Sequence, residues 1–219
     1  MGTSAVKLLL MDETGRIHKI VSRDYPISFP HPGWSDQNPE VWLRETLAGI
    51  GDLVSDCSKD KVAEIGVCRQ MHEPVILDEN DHVIRPAFLR NDGRTTEETD
   101  YLNNTIGRER LSKKHEPENF CKIRKIMLPK DYINYMLTGE FCTDCSDASG
   151  TLFFDVKNRC WSTEMLKLCE ISENRLPKIY ESYNAVGTLK KSVAETVGLS
   201  KKVKVCASAG DNAAATVGT

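Results

Sequence analysis

The sequence of 219 residues has no long hydrophobic run. Its most apolar early stretch, Val6–Met11, is far short of a membrane span and too short for the core of a signal peptide. It also has no basic tract, and its formal net charge is −3, which argues against a nucleic-acid partner. Repeats, low-complexity tracts and an obvious linker are absent as well. Among eight cysteines there is one CxxC, Cys142–Cys145 in "CTDC". A zinc site would need a second ligand pair at suitable spacing, and neither another CxxC nor a nearby histidine cluster supplies one. Reduced thiols in a reducing compartment are the simpler reading. These absences set the expectation of a soluble, cytoplasmic protein with no membrane or nucleic-acid partner and no bound metal.

What is present is ordinary globular composition: 40% of residues are hydrophobic and 28% charged, enough for one large domain or two small ones. Val6–Asp12 and Arg16–Tyr25 read as strands joined by the tight turn "DETG". The proline-rich stretch "PISFPHPGWSDQNPE" reads as an ordered loop. Asn38 then caps a helix with Pro39 in its first turn, and Leu43, Leu47, Ile50, Val54 and Cys57 share one face. Val62–Cys68 reads as a short strand, and Pro74–Asp78 with Val83–Leu89 as a second hairpin around "ENDH". Thr95–Asn104 has a polar helical pattern. Leu128–Thr138 is a helix stopped by Gly139, Ser162 caps another, and Ser192–Val197 is a last one ended by Gly198. Lys202–Ala207 reads as a strand, Gly210 as a turn, and Asp211 as the start of a helix. A hairpin followed by alternating strands and helices implies an α/β fold with a mixed sheet and flanking helices.

Four stretches are denser in special residues than a plain core requires. "MGTS" places Gly2, Thr3 and Ser4 in a turn before a strand, where backbone N–H groups can cradle phosphate. "RQMHEP" puts Gln70, Met71 and His72 after a strand end, where open α/β sheets bind ligands. "RNDGR" sets Asn91 and Asp92 in a glycine turn between arginines. "SAGDNAA" holds Asp211 and Asn212 at a strand-to-helix junction. A carboxylate, a histidine and amide-type groups at strand ends suit a polyhydroxylated small molecule, whose hydroxyls each need a directional partner. Asp211 is suited to accept a proton from a hydroxyl as that oxygen attacks a phosphoryl group.

The chain resembles the N-terminal lobe of the FGGY carbohydrate kinases. "GTSAVKLLLMDETG", "FPHPGWSDQNPE", "QMHEPVILDEN", "RPAFLRNDGRT", "HEPENFCKIRKIMLPKDYINYMLTGEF", "TDCSDASGTLFFDV" and "AGDNAAATVG" carry the resemblance, in the family's order, from end to end. It implies a ribonuclease-H-like, actin-like ATPase fold over residues 1–219. It also implies magnesium-dependent transfer of the γ-phosphoryl group of ATP to the terminal hydroxyl of D-xylulose or a related ketose. By position, Asp211 matches the family's catalytic base. Met71 and His72 match the sugar-contacting pair, with Gln70, Asn91, Asp92 and Asn212 near the sugar. Gly2, Thr3 and Ser4 match the phosphate-facing turn.

The sequence departs from the family in several places. A strand ending in the aspartate that organises magnesium precedes the GTS turn in the family. Here Met1 stands directly before Gly2. If ~4 residues of such a strand were buried at ~1.5–3 kcal/mol each, its loss would cost ~6–12 kcal/mol. The net stability of a domain is only ~5–15 kcal/mol, so a marginal sheet is expected. A block of the sugar wall is missing where Lys113 and Lys114 run into His115. Arg69 stands where the family has glycine, and is expected to crowd the pocket or point to solvent. Arg90 stands where the family has tryptophan. The family's second lobe, which holds most of the adenosine site, does not follow Thr219. Two functional readings therefore stand: a sugar kinase of which this chain is the sugar-binding lobe, inactive alone, or a non-catalytic relic or sugar-binding fragment.

Overall fold

A computed structural model describes residues 1–69, 73–94, 117–211 and Ala213. Strands β1 (Ala5–Met11) and β2 (Ile17–Asp24) form an antiparallel hairpin. Its turn is built by Asp12, whose carboxylate accepts the Thr14 and Arg16 N–H groups, and by Gly15 at a φ of 82°. Val6, Leu8 and Leu10 alternate toward the core, while Leu9, Met11, Ile17 and Ile20 remain exposed on the other face. After β3 (Asp36–Gln37), helix α1 (Pro39–Val54) packs across both hairpin strands. The Asn38 side chain caps it by accepting the Glu40 N–H, and proline fills its first position. Gly49 lets the hairpin approach, since a Cβ there would meet Leu8 Cδ1 at 2.5 Å.

The middle of the chain contributes β4 (Glu64–Ile65), β5 (Cys68–Arg69), β6 (Val75–Leu77) and β7 (Ala87–Phe88). Helix α2 (Pro117–Lys122) leads to β8 (Lys125–Met127) and α3 (Pro129–Thr138). Gly139, at a φ of 87°, ends α3 as its spacing suggests. Then come β9 (Cys142–Asp144), the short α4 (Cys145–Ala148), β10 (Phe154–Asp155), β11 (Cys160–Trp161) and α5 (Thr163–Leu168). The described chain closes with β12 (Lys178–Tyr180), β13 (Ala185–Thr188), α6 (Lys191–Val197), β14 (Lys204–Cys206) and β15 (Ala209–Gly210).

The pairing is mixed, as expected. β14 runs parallel to β4 and antiparallel to β13, while β15 is parallel to β5 and β9 to β12. Among the described residues no sheet has more than three strands, and no ladder joins the β1–β2 hairpin to β4. Helix α1 spans these pieces: Trp42, Ile50, Leu53 and Val54 share one core with Val6, Tyr25, Tyr132, Ile133 and Val205. Trp42 is fully buried and donates from Nε1 to Gln37 Oε1 at 2.9 Å.

Three local expectations change. The second hairpin closes only around its turn, at the Leu77–Val83 bridge. Beyond it β6 pairs with β8 and β7 with β3, because buried neighbours from distant segments compete for those edges. Val62–Cys68 divides into β4 and β5 rather than one strand. Gly210 belongs to strand β15, and the bend falls two residues earlier, at Ser208, with a φ of 67°. The helical pattern over Thr95–Asn104 lies outside the described residues.

Candidate active site

Asp211 begins a helical segment directly after β15. The register Ala209–Cys68 and Gly210–Arg69 carries it to the end of two parallel strands. The approach is firmly held. Ser208 Oγ accepts the Val67 N–H at 2.8 Å and donates to the Cys206 carbonyl at 3.1 Å. The Ser208 N–H donates to the Ser182 carbonyl at 2.8 Å. From below, the Ala207 carbonyl accepts Lys130 Nζ at 3.0 Å and Asn134 Nδ2 at 3.2 Å. Gly210, the residue before Asp211, donates its N–H to Ser146 Oγ at 3.3 Å.

The turn at the start of the chain reaches this strand end. The Met1 ammonium donates to the Cys68 carbonyl, and the charges of Cys68, Arg69 and Asp211 all act on it. Burial pulls its pKa below the ordinary value. Gln37 Nε2 donates to the Thr3 carbonyl at 2.6 Å, Tyr25 OH donates to the Gly2 carbonyl, and the Tyr25 N–H donates to the Ser4 carbonyl at 2.9 Å. Gly2 donates its own N–H back to Ala5, so that N–H is engaged within the turn.

Asp92, in the turn after β7, clasps the loop before β3, and Asn91 beside it is exposed. Asp92 accepts the Ser35 N–H at 2.7 Å, the Arg94 N–H at 2.9 Å and Arg94 Nε at 2.8 Å. Arg94 also pairs with Asp36, and its guanidinium lies 4.0 Å from the Trp34 ring centre and 3.9 Å from that of Phe88. Burial pushes the Asp92 carboxyl up, but these donors outweigh it and hold the pKa below the ordinary value. Gln70, Met71, His72 and Asn212 lie outside the described residues.

Arg69 does not point to solvent. It is fully buried, with Nη2 2.6 Å from Glu73 Oε2, Nη1 3.4 Å from Tyr25 OH, and its guanidinium 3.5 Å from the Trp42 ring centre. A buried guanidinium needs a carboxylate partner, which Glu73 supplies, and the Trp42 ring adds a cation–π face. Arg90 is exposed.

Residue-by-residue reading missed a buried charged cluster beneath Asp211. Lys130 Nζ lies 2.7 Å from Asp131 Oδ1, 3.1 Å from Asp144 Oδ1 and 3.9 Å from Asp147 Oδ2, and all four side chains are essentially inaccessible. Asp144 also accepts the Ser146 N–H at 2.8 Å and Ser182 Oγ–H at 2.7 Å. The signal was in the sequence: charged residues in "LPKDY" and "SDASG" sit inside otherwise apolar or small-residue surroundings.

The comparisons with known proteins bear on the family and the fold. The fold class they define is that of the actin-like ATPases. The xylulose kinase of Lactobacillus acidophilus in its ligand-bound crystal structure superposes with a TM-score of 0.92 at 24% identity, covering 99% of this chain and 48% of that one. The Brucella ovis structure described as a xyloylose kinase gives 0.87 at 34% identity, covering 98% and 48%. A model of the FGGY family of carbohydrate kinases, N-terminal domain, matches residues 1–114 and 112–218. This chain belongs to that family. The xylulose kinase of Escherichia coli (strain K12) is 38% identical over 235 residues, covering all of this chain and 48% of that protein. That of Bacillus subtilis (strain 168) is 35% identical over 238 residues. The chain spans about half the length of the curated relatives it matches. The two matched pieces meet at residues 112–114.

Proposed function

We propose that residues 1–219 form the sugar-binding, N-terminal half of a xylulokinase-type enzyme. It would transfer the γ-phosphoryl group of ATP to D-xylulose, giving D-xylulose 5-phosphate. Asp211 is the general base: its carboxylate takes the proton of the terminal hydroxyl as that oxygen attacks phosphorus. The observation that carries the reading is the parallel β5–β15 register, which delivers Asp211 to a braced strand end. Gln70, Met71, His72 and Asn212 neighbour that strand end in sequence and are proposed to bind the sugar, with Asn91 and Asp92 shaping its rim. Gly2, Thr3 and Ser4 are proposed to face the phosphates. ATP would be held mainly by a second lobe supplied beyond this chain. Among the described residues no three histidine, cysteine, aspartate or glutamate side chains converge to hold an ion. Magnesium would enter with the phosphates of ATP, which together with water and one or two carboxylates supply its ligands, and no step is routed through the ion. A cytoplasmic setting is proposed with this chemistry. Among the described residues no helix is long and apolar enough to cross a membrane.

The second reading is a binding fragment without turnover. It is favoured by Arg69, which places a buried cation at the end of β5. One assay separates the two: ATP-dependent phosphorylation of D-xylulose by the longest polypeptide the gene encodes, with and without Asp211→Asn. The kinase reading expects turnover that falls about 10²–10⁴-fold in the variant. Sugar binding without turnover supports the second.

A further inference from the structure

Asp147, on α4, is 1% exposed, and its Oδ1 has no hydrogen-bond partner. Its Oδ2 lies 3.9 Å from Lys130 Nζ, beyond hydrogen-bond reach. The charged and titratable groups around it come from four elements: Lys130 and Asp131 from α3, Asp144 from β9, Cys68 from β5, and Asp211 after β15. Lys130 is the one cation among them, and two nearer carboxylates already engage it, Asp131 at 2.7 Å and Asp144 at 3.1 Å. Asp144 has the donors that keep a carboxylate ionised, from the Ser146 N–H, Ser146 Oγ–H and Ser182 Oγ–H. Asp147 has no such set. An ionised Asp147 would be a desolvated charge facing other carboxylates, with its nearest cation shared.

The same short helix braces the junction that carries Asp211. α4 packs on β15, and its Ser146 Oγ accepts the N–H of Gly210, the residue before Asp211. We infer that Asp147 is held as a neutral carboxylic acid at neutral pH, so that α4, whose Ser146 braces the residue before Asp211, brings no second negative charge to the junction that carries the base. This rests on the reading of Asp211 as that base. Asp147 is a positioning residue: its proton stays on its own carboxyl group and is not passed to substrate. The direction of its titration agrees, because burial foremost, and then the charges of Asp131, Asp144 and Asp211, push its pKa well above the carboxylate range, against the pull of Lys130.

The test reads charge state on the full 219-residue chain. Infrared spectra at pH 7 and the carboxyl ¹³C shifts of labelled aspartates are followed through a pH titration of wild type, Asp147→Asn and Asp211→Asn. The expected wild type shows a protonated-carboxyl band at pH 7 that is absent in Asp147→Asn. The Asp147 titration midpoint lies above pH 7, more than three units above the ~3.9 of a free aspartate. Asp211→Asn lowers that midpoint, because a neighbouring negative charge has gone. A midpoint below pH 7, or one that Asp211→Asn leaves unmoved, overturns the inference. If Asp147→Asn does not fold, the comparison of wild type with Asp211→Asn decides alone. A failure of Asp211 as the base would show in turnover and would leave these titrations as they are.

Discussion

The guanidinium of Arg69 lies 3.5 Å from the centre of the Trp42 ring, and both side chains are fully buried. Its Nη2 meets Glu73, also fully buried, at 2.6 Å. A cation, a carboxylate and an indole thus share the interior directly behind the strand end that leads to Asp211. Arg69→Ala removes the cation from a buried carboxylate and should cost about 3–5 kcal/mol in urea denaturation. Arg69→Met with Glu73→Gln should recover most of that loss. A double variant as unstable as Arg69→Ala would show that packing, rather than charge, sets the cost.

Lys130 sits among three buried acidic side chains and pairs with Asp131 and Asp144; burial opposes its charge, but the acidic neighbours outweigh it and leave its pKa raised. Lys130→Met should destabilise the chain by about 3–5 kcal/mol at neutral pH. Part of that should return near pH 5, where the stranded acids take up protons. Equal losses at both pH values would contradict the assignment.

The pH dependence of stability carries two opposite signs. Asp147 has a folded pKa above its unfolded one. Its contribution is fully present below the unfolded value of ~3.9 and is lost as pH rises toward the folded one. Wild type should therefore lose stability relative to Asp147→Asn as pH rises from about 4, by up to about 1.4 kcal/mol per pH unit. Asp92 is the reverse. Its folded pKa is lowered, so its contribution is present above the ordinary range and is lost as pH falls through it. Asp92→Asn should cost about 1–3 kcal/mol at pH 7 and little at pH 2–3.

Gly49 sets the distance between α1 and the hairpin. Gly49→Ala drives a Cβ to 2.5 Å from Leu8 Cδ1. The overpacking should cost about 1–3 kcal/mol, and Leu8→Val in the same chain should relieve part of it. A neutral Gly49→Ala would show that the hairpin is free to shift on the helix.

The elements legible in the sequence are those with local signals. The Asp12–Gly15 turn, the Asn38–Pro39 cap and the glycines at 139 and 198 each act within a few residues, and the elements they bound agree with the structure. What local reading missed depends on distant partners. β6 takes β8 as its neighbour, with Leu77 opposite Lys125, and no periodicity in a three-residue strand records that choice. Gly210 looks like a turn residue, yet pairing with Arg69 makes it a strand. Asp211 stands out in the sequence because a carboxylate between a strand and a run of small residues is locally unusual. Lys130 and Asp147 were not, because their burial depends on three elements converging. Arg69 shows the same limit: its aromatic face and its carboxylate become visible only once α1 is in place.

The most direct test of the account is the rate of ATP-dependent phosphorylation of D-xylulose by the longest polypeptide that contains residues 1–219, compared with its Asp211→Asn variant of equal stability. The account predicts measurable turnover in the parent and a loss of about 10²–10⁴-fold in the variant. A variant that turns over within a few-fold of its parent would contradict the placement of the base at Asp211.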